Sequence, residues 1–340
     1  MASIKPTPTQ VSTAIDFDRE GLQTGCLQVP YSHDRDAYGF VPVPLMVAKR
    51  GTGPTVLLTG ANHGDEYEGS VAIMHLMREL KLEQVNGRLI LIPALNFPAY
   101  LNGTRTSPLD KGNLNRLFPG DANGTPTQMI AHYIESELMP KADYLLDFHA
   151  GGTTMDYVPM LFVNRPVEAG AAARTEQLIE AFGAPRVMYM DALESELMIG
   201  SAARKNKTFF ATGEFGGKGA VGLEGLAIVE RGIRGLLHAL GVVPAFEPQD
   251  RPPPSKRYSF GREHYIFAPV PGIFEPRFRL GQEVDAGELA GLIHDPYRPW
   301  SEPERVTFQA SGLAVMQRTL ARVDAGTCLG HLAKEERPSY

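Results

Sequence analysis

A chain of 340 residues is long enough for two domains, or for one large domain with an appendage. Its make-up, 43% hydrophobic and 21% charged, is that of a globular protein with a substantial core. A formal charge of −6 argues against nucleic acid as the main partner, because phosphate binding needs a basic face. Residues 1–10 are polar and contain proline, and no apolar run approaches the roughly 20 residues that span a bilayer. Cys26 and Cys328 are too few for a disulfide framework. The expected location is the cytoplasm.

From residue 55 to 240, apolar runs alternate with helical patterns. Residues 56–59 predict a strand, 68–82 a helix, 88–93 a strand and 127–138 a helix. Residues 144–148 and 160–163 predict strands, 169–182 a helix, 187–190 and 208–212 strands, and 223–240 a helix. Most of the strands are nearly continuous in apolar character, as strands buried on both faces of a mainly parallel sheet are. The pattern predicts an α/β fold: a mainly parallel mixed sheet flanked by helices. Ligands gather at the carboxyl ends of such strands, where His63, His149 and Glu214 fall.

The composition changes at residues 248–254, which read Pro-Gln-Asp-Arg-Pro-Pro-Pro. The expected division is a catalytic α/β domain over 1–247 with an N-terminal lead segment, a stiff linker over 248–257, and a β domain over 258–340. The last part holds a weak repeat. Residues 268–274 lead to Val284-Asp285-Ala286-Gly287, and residues 310–315 lead to Val323-Asp324-Ala325-Gly326. Two such units predict a small barrel-sandwich with pseudo-twofold symmetry. Its likeness to biotinyl and lipoyl carriers fails as a function, because no acceptor lysine lies between Lys256 and Lys334.

His63 and Glu66, three residues apart where a strand turns into a helix, form a compact metal-binding pair. Alone they read more readily as a hydrogen-bonded core histidine and a helix-capping acid. His149 ends a second apolar strand, and two histidines with a glutamate are the protein ligands of an open zinc site. Asp147 lies two residues earlier and faces the same side of the strand. Its carboxylate suits the N–H of a ligating imidazole. Glu214 ends a third apolar strand before glycines and is the candidate general base. The polar, glycine-containing loop after residue 102 carries Arg105, Asn115 and Arg116, whose charge and donors suit an oxyanion or a carboxylate.

These residues, in this order over roughly 55–240, resemble the succinylglutamate desuccinylase/aspartoacylase family, relatives of the zinc carboxypeptidases. The resemblance rests on the His-x-x-Glu of His63 and Glu66, the Asp-x-His of Asp147 and His149, the Asn115-Arg116 pair and the late Glu214. It implies one zinc per chain held by His63, Glu66 and His149, with Glu214 as general base and then acid. It also implies that Arg105 polarises the scissile carbonyl and that Asn115 and Arg116 hold a substrate α-carboxylate. A C-terminal tyrosine, Tyr265 or Tyr297, would assist at the oxyanion.

Residues 59–69 and 103–108 resemble more closely the branch that deacetylates N-α-acetyl-L-2,4-diaminobutyrate in ectoine degradation. Such a substrate carries a 4-ammonium group that needs an acidic partner, for which Asp156 is the candidate. The alternatives are deacylation of another N-acyl amino acid, of the desuccinylase or aspartoacylase type, and carboxypeptidase action on small peptides. The expected partner is a small N-acyl amino acid, with neither nucleic acid nor membrane. Homo-oligomerisation stays open.

Overall fold

The computed structural model describes residues 8–166, 169–190, 196–248 and 253–336. Residues 249–252 of the expected linker lie outside the described residues. Ahead of the first apolar run, β1 (Gly21–Pro30) and β2 (Phe40–Arg50) form a long antiparallel hairpin. Then follow β3 (Thr55–Gly60), α1 (Glu68–Glu79), β4 (Gly87–Ile92), α2 (Phe97–Asn102), α3 (Pro126–Tyr133) and β5 (Tyr144–His149). The chain continues with β6 (Met155–Tyr157), β7 (Met160–Asn164), α4 (Ala169–Phe182), β8 (Arg186–Met190), α5 (Ile199–Lys205), β9 (Phe209–Glu214) and α6 (Leu223–Ala239).

The sheet order begins β1-β2-β4-β3-β5-β9-β7-β8. Within it, β4, β3, β5 and β9 run parallel, while β7 lies antiparallel to β9 and parallel to β8. All six residues of β3 are buried, as a continuous apolar run predicts for a strand covered on both faces. One core packs the sheet against α1 and α6, through Ile73, Leu76, Ile233 and Leu236. The other face is covered by the α3 and α5 side, with Ile130, Ile134, Ile199 and Ala203.

β1 and β2, which precede the first strand expected from the sequence, belong to this sheet. β2 carries Pro42 and Pro44, which lack N–H donors. Both precede Met46, where pairing with β4 begins, so the β2–β4 ladder loses no donor to them.

The remaining strands are β10 (Lys256–Ser259), β11 (Tyr265–Phe267), β12 (Gly272–Pro276), β13 (Glu283–Val284), β14 (Leu289–His294), β15 (Glu304–Thr307), β16 (Gly312–Arg318), β17 (Arg322–Val323) and β18 (Cys328–Glu335). β10 runs parallel to β8 and antiparallel to β18, which carries the large sheet into the C-terminal part to make 14 strands. A second sheet has the order β15-β14-β12-β17.

The sequence repeat appears as an exchange between halves. Gly272 and Ile273 of β12 face Val323 and Arg322, just as Gly312 and Leu313 of β16 face Val284 and Glu283. Each half thus completes the other, as pseudo-twofold symmetry requires. Val158, Met160, Met188, Tyr258, Leu313 and Val315 form a shared core between the two parts.

Candidate active site

Strands β3, β5 and β9 deliver their carboxyl ends side by side. After Gly60 the chain turns through Ala61, at φ 48°, and Asn62 to His63. This left-handed turn is held by Leu95 N–H donating to the Gly60 carbonyl at 2.8 Å and Asn96 N–H to the Ala61 carbonyl at 3.0 Å. Gly64 is there for space, because a Cβ would stand 2.0 Å from the Ala99 carbonyl carbon. Asp65 reaches over to the segment that follows β5. It accepts the Thr153 N–H at 2.7 Å and the Thr153 hydroxyl at 2.9 Å.

His63, Glu66 and His149 converge and are all buried. Glu66 Oε1 lies 2.7 Å from His63 Nδ1, and Glu66 Oε2 lies 2.7 Å from His149 Nδ1. The far nitrogen of each ring has its own acceptor. His149 Nε2 is 2.8 Å from Asp147 Oδ2, and His63 Nε2 is 3.2 Å from Asn113 Oδ1. Asp147 is itself fixed by the Thr59 hydroxyl at 2.6 Å and the Asn62 amide at 2.8 Å.

These acceptors favour the proton on Nε2 of each neutral imidazole, which turns both Nδ1 lone pairs toward a carboxylate. Lone pairs meeting a carboxylate need a cation or protons between them. Among the described residues this is the His/Cys/Asp/Glu group whose ligand atoms lie within 4.8 Å of one another. The donor set, two imidazoles and one carboxylate with oriented outer nitrogens, fits a divalent ion.

The three groups also shift one another's titration. Against the cost of burial, His63 and His149 hold the Glu66 carboxyl well below the usual carboxylate range. Burial pushes His63 below its ordinary value. For His149 burial acts in the same sense, but the Asp147 and Glu66 carboxylates outweigh it and raise the ring well above its ordinary value.

Glu214 stands opposite His149 in the β5–β9 register. Its Oε2 is buried without a hydrogen-bond partner. Burial first, and then the charge of Glu66, push its carboxyl up to about 8. Two tyrosines approach the same carboxyl. Tyr265 is pushed up to about 12 by burial, then by Cys328 and Glu214, and Tyr157 is raised well above its ordinary value by burial and then Glu214. Tyr265 is stacked flat on His331, with ring centroids 4.3 Å apart. Tyr297, the other sequence candidate, is 89% exposed and lines a surface cleft of the second sheet with Ile273 and Trp300's neighbour Ser301.

Arg105 is half-exposed, with Nη1 3.3 Å from His63 Nδ1 and 3.5 Å from Glu66 Oε1. Arg116 donates to the Asn115 carbonyl at 2.7 Å. Burial and then the Arg105 charge lower its basicity, so two guanidinium groups face one polar space. Asn115 is buried and accepts the Ile199 N–H at 3.0 Å. Asp156 makes an ion pair with Lys218, Oδ2 to Nζ 2.6 Å.

Sequence reasoning brought together His63, Glu66, Asp147, His149, Glu214 and Arg105, and the structure groups all six. It missed Asn113, Tyr157 and Lys218. Asn113 was visible only as one more polar residue in the loop that holds Arg116. Tyr157 gives no periodic signal, because β6 is three residues long and its pairing strand, β16, is far away in sequence.

The family model for the succinylglutamate desuccinylase/aspartoacylase catalytic domain matches residues 52–240. An N-α-acetyl-L-2,4-diaminobutyric acid deacetylase of Halomonas elongata is 38% identical over 335 residues, covering 96% of each chain. The product-bound structure of the ectoine utilization protein EutE (DoeB) from Ruegeria pomeroyi is 35% identical with a TM-score of 0.91. It covers 96% of this chain and 100% of its own. A succinylglutamate desuccinylase structure from Silicibacter sp. TM1040 also has a TM-score of 0.91 at 35% identity, covering 97% and 100%.

Proposed function

The chain belongs to the succinylglutamate desuccinylase/aspartoacylase family, and from that membership we propose that it is a zinc-dependent amidohydrolase that deacetylates N-α-acetyl-L-2,4-diaminobutyrate. The observation that carries this reading is the meeting of three metal-type donors with a carboxyl that has one buried, unpartnered oxygen across β5 and β9. His63, Glu66 and His149 would hold one zinc ion, which when bound supplies Lewis acidity at neutral pH.

Glu214 takes the proton of the attacking water and returns it to the departing amine. A carboxyl held near working pH suits a group that must both accept and donate. Arg105 polarises the amide carbonyl from the mouth of the site. Arg116 and Asn115 take the substrate α-carboxylate, and an anion there relieves the repulsion between the two guanidinium groups. Asp156 is assigned to the 4-ammonium group, which must draw it from Lys218. Of the two C-terminal tyrosines, we assign the oxyanion role to Tyr265.

The division into a catalytic part, 1–247, and a closing part, 258–340, belongs to the same proposal. β6, just after His149, pairs with β16, and Thr319 N–H donates to the Thr154 carbonyl at 3.0 Å. Strands of the last part therefore border the segment beside the site, an arrangement that favours a small acyl amino acid over a long peptide. No helix among the described residues is long and apolar enough to cross a membrane, and we propose a cytoplasmic location for the reaction.

Release of the free amino group should be measured with zinc-loaded protein on four substrates: N-α-acetyl-L-2,4-diaminobutyrate, N-acetyl-aspartate, N-succinyl-glutamate and a dipeptide. The first should have the highest kcat/KM. A higher value for another acyl amino acid would reassign the substrate, and a higher value for the dipeptide would overturn the deacylase reading.

A further inference from the structure

Glu68, the first residue of α1, lies two positions after Glu66 and takes no part in the proposed reaction. It is completely buried. Its Oε1 accepts the Gly222 N–H at 2.9 Å, while its Oε2 has no hydrogen-bond partner. Gly222 is the N-cap residue of α6 and has no side chain to cap that helix. A carboxyl sent across from α1 satisfies one of the free N–H groups there and complements the helix dipole.

The segment after Glu214 is shaped around this carboxyl. Gly216 has φ +145°, and a Cβ there would stand 2.3 Å from Glu68 Oε1. A Cβ on Gly225 would meet the Phe215 carbonyl oxygen at 1.6 Å and Glu68 Cγ at 3.4 Å. Phe215 follows Glu214 directly, and its N–H donates to the His149 carbonyl at 3.0 Å. Glu68 is therefore the physical link between the turn that carries His63 and Glu66 and the turn that leaves Glu214.

We infer that Glu68 is a positioning residue: by gripping the Gly216–Gly222 turn it fixes the Glu214 carboxyl relative to the metal-type donors. This inference rests on the reading of Glu214 as the proton-transfer group. A buried carboxyl with a bare oxygen costs stability that an apolar side chain of similar size would not. In exchange it sets a distance between two segments that share no strand.

The test compares Glu68→Ala, Glu68→Gln and Glu214→Gln as folded, zinc-loaded proteins on N-α-acetyl-L-2,4-diaminobutyrate. Glu68→Ala should lower kcat about 10- to 100-fold, the scale of a misplaced reacting group, with KM and zinc content unchanged. Glu68→Gln keeps an acceptor for Gly222 and should restore most of the turnover. Hydrogen exchange on the zinc-free proteins gives a second readout: the Gly222 amide should lose protection in Glu68→Ala and keep it in Glu68→Gln.

Normal kcat per zinc-loaded site in Glu68→Ala, with only a lowered melting temperature, would overturn the inference. So would equal losses in both Glu68 variants. If Glu68→Ala does not fold, Gly222→Pro removes the same donor and should show the same fall in kcat; a normal kcat there is equally fatal. Turnover surviving in Glu214→Gln would sink the reading of Glu214 itself, a separate outcome.

Discussion

On the β3–β5 side of the site, each ring nitrogen of His63 and His149 and both oxygens of Glu66 have a polar partner within 3.2 Å. On the β9 side, Glu214 buries an oxygen with no partner. The same burial gives opposite results: two histidines draw the Glu66 carboxyl far down, while at Glu214 burial and the Glu66 charge outweigh His149 and Arg105 and push the carboxyl up to about 8. On the proposed reading, the groups that would hold an ion are already fixed by their neighbours. The group proposed to move a proton has a buried oxygen without a partner. Orientation is built into one side and reactivity into the other.

The largest effect should come from removing the fixed side. Glu66→Ala should abolish both zinc binding, read by elemental analysis, and deacylation. Zinc retained at one per chain in that variant would break the distinction between the two sides. A smaller effect is expected one layer out. Asp147→Asn loses the charged acceptor of His149 Nε2 and should weaken zinc binding about 10- to 100-fold, read by competition with a chelator, while turnover at saturating zinc changes less. Equal losses in affinity and saturated turnover would mean that Asp147 acts in the chemistry rather than on the ligand.

The smallest effect expected is on stability, at the ring beneath Tyr265. His331 is buried beneath Tyr265, its Nε2 has no partner, and burial, followed by the charge of His264, lowers it to about 3 from 6.5. The unfolded chain takes up this proton near 6.5 and the folded chain only near 3. The stabilisation is therefore complete above about 6.5 and is lost as pH falls toward 3. His331→Phe keeps the ring stack and removes the titration. In urea unfolding from pH 7 to 4, its stability should fall less than that of the parent chain. Parallel curves would exclude His331 as a source of acid sensitivity.

The strand ends on both sides were legible in the sequence. His63, His149 and Glu214 end runs such as Val56-Leu57-Leu58 and Tyr144-Leu145-Leu146, whose burial on both faces makes them unmistakable as central strands. Asp147 follows from strand alternation alone. The central strands and the four predicted helices fall where the periodicity put them, within a few residues at their ends.

What escaped depends on contacts distant in the chain. The β1–β2 hairpin is masked by Pro42 and Pro44. Asn113 meets His63 across 50 residues. Tyr157 is brought to the turn after Glu214 by its N–H, which donates to the Gly216 carbonyl at 3.0 Å, far along the chain. Asp156 was legible as an acid near the site, but its pairing with Lys218 depends on how the turn after Glu214 folds back. A tertiary neighbour leaves no period in the sequence.

The contrast between the two sides is tested most directly by measuring zinc content and single-turnover deacetylation on one sample of Glu214→Gln. The account predicts one zinc per chain with the rate reduced by about 10²- to 10⁴-fold, the usual contribution of a positioned acid–base group. Zinc lost together with activity would make Glu214 a ligand, and a rate close to that of the parent chain would remove it from proton transfer.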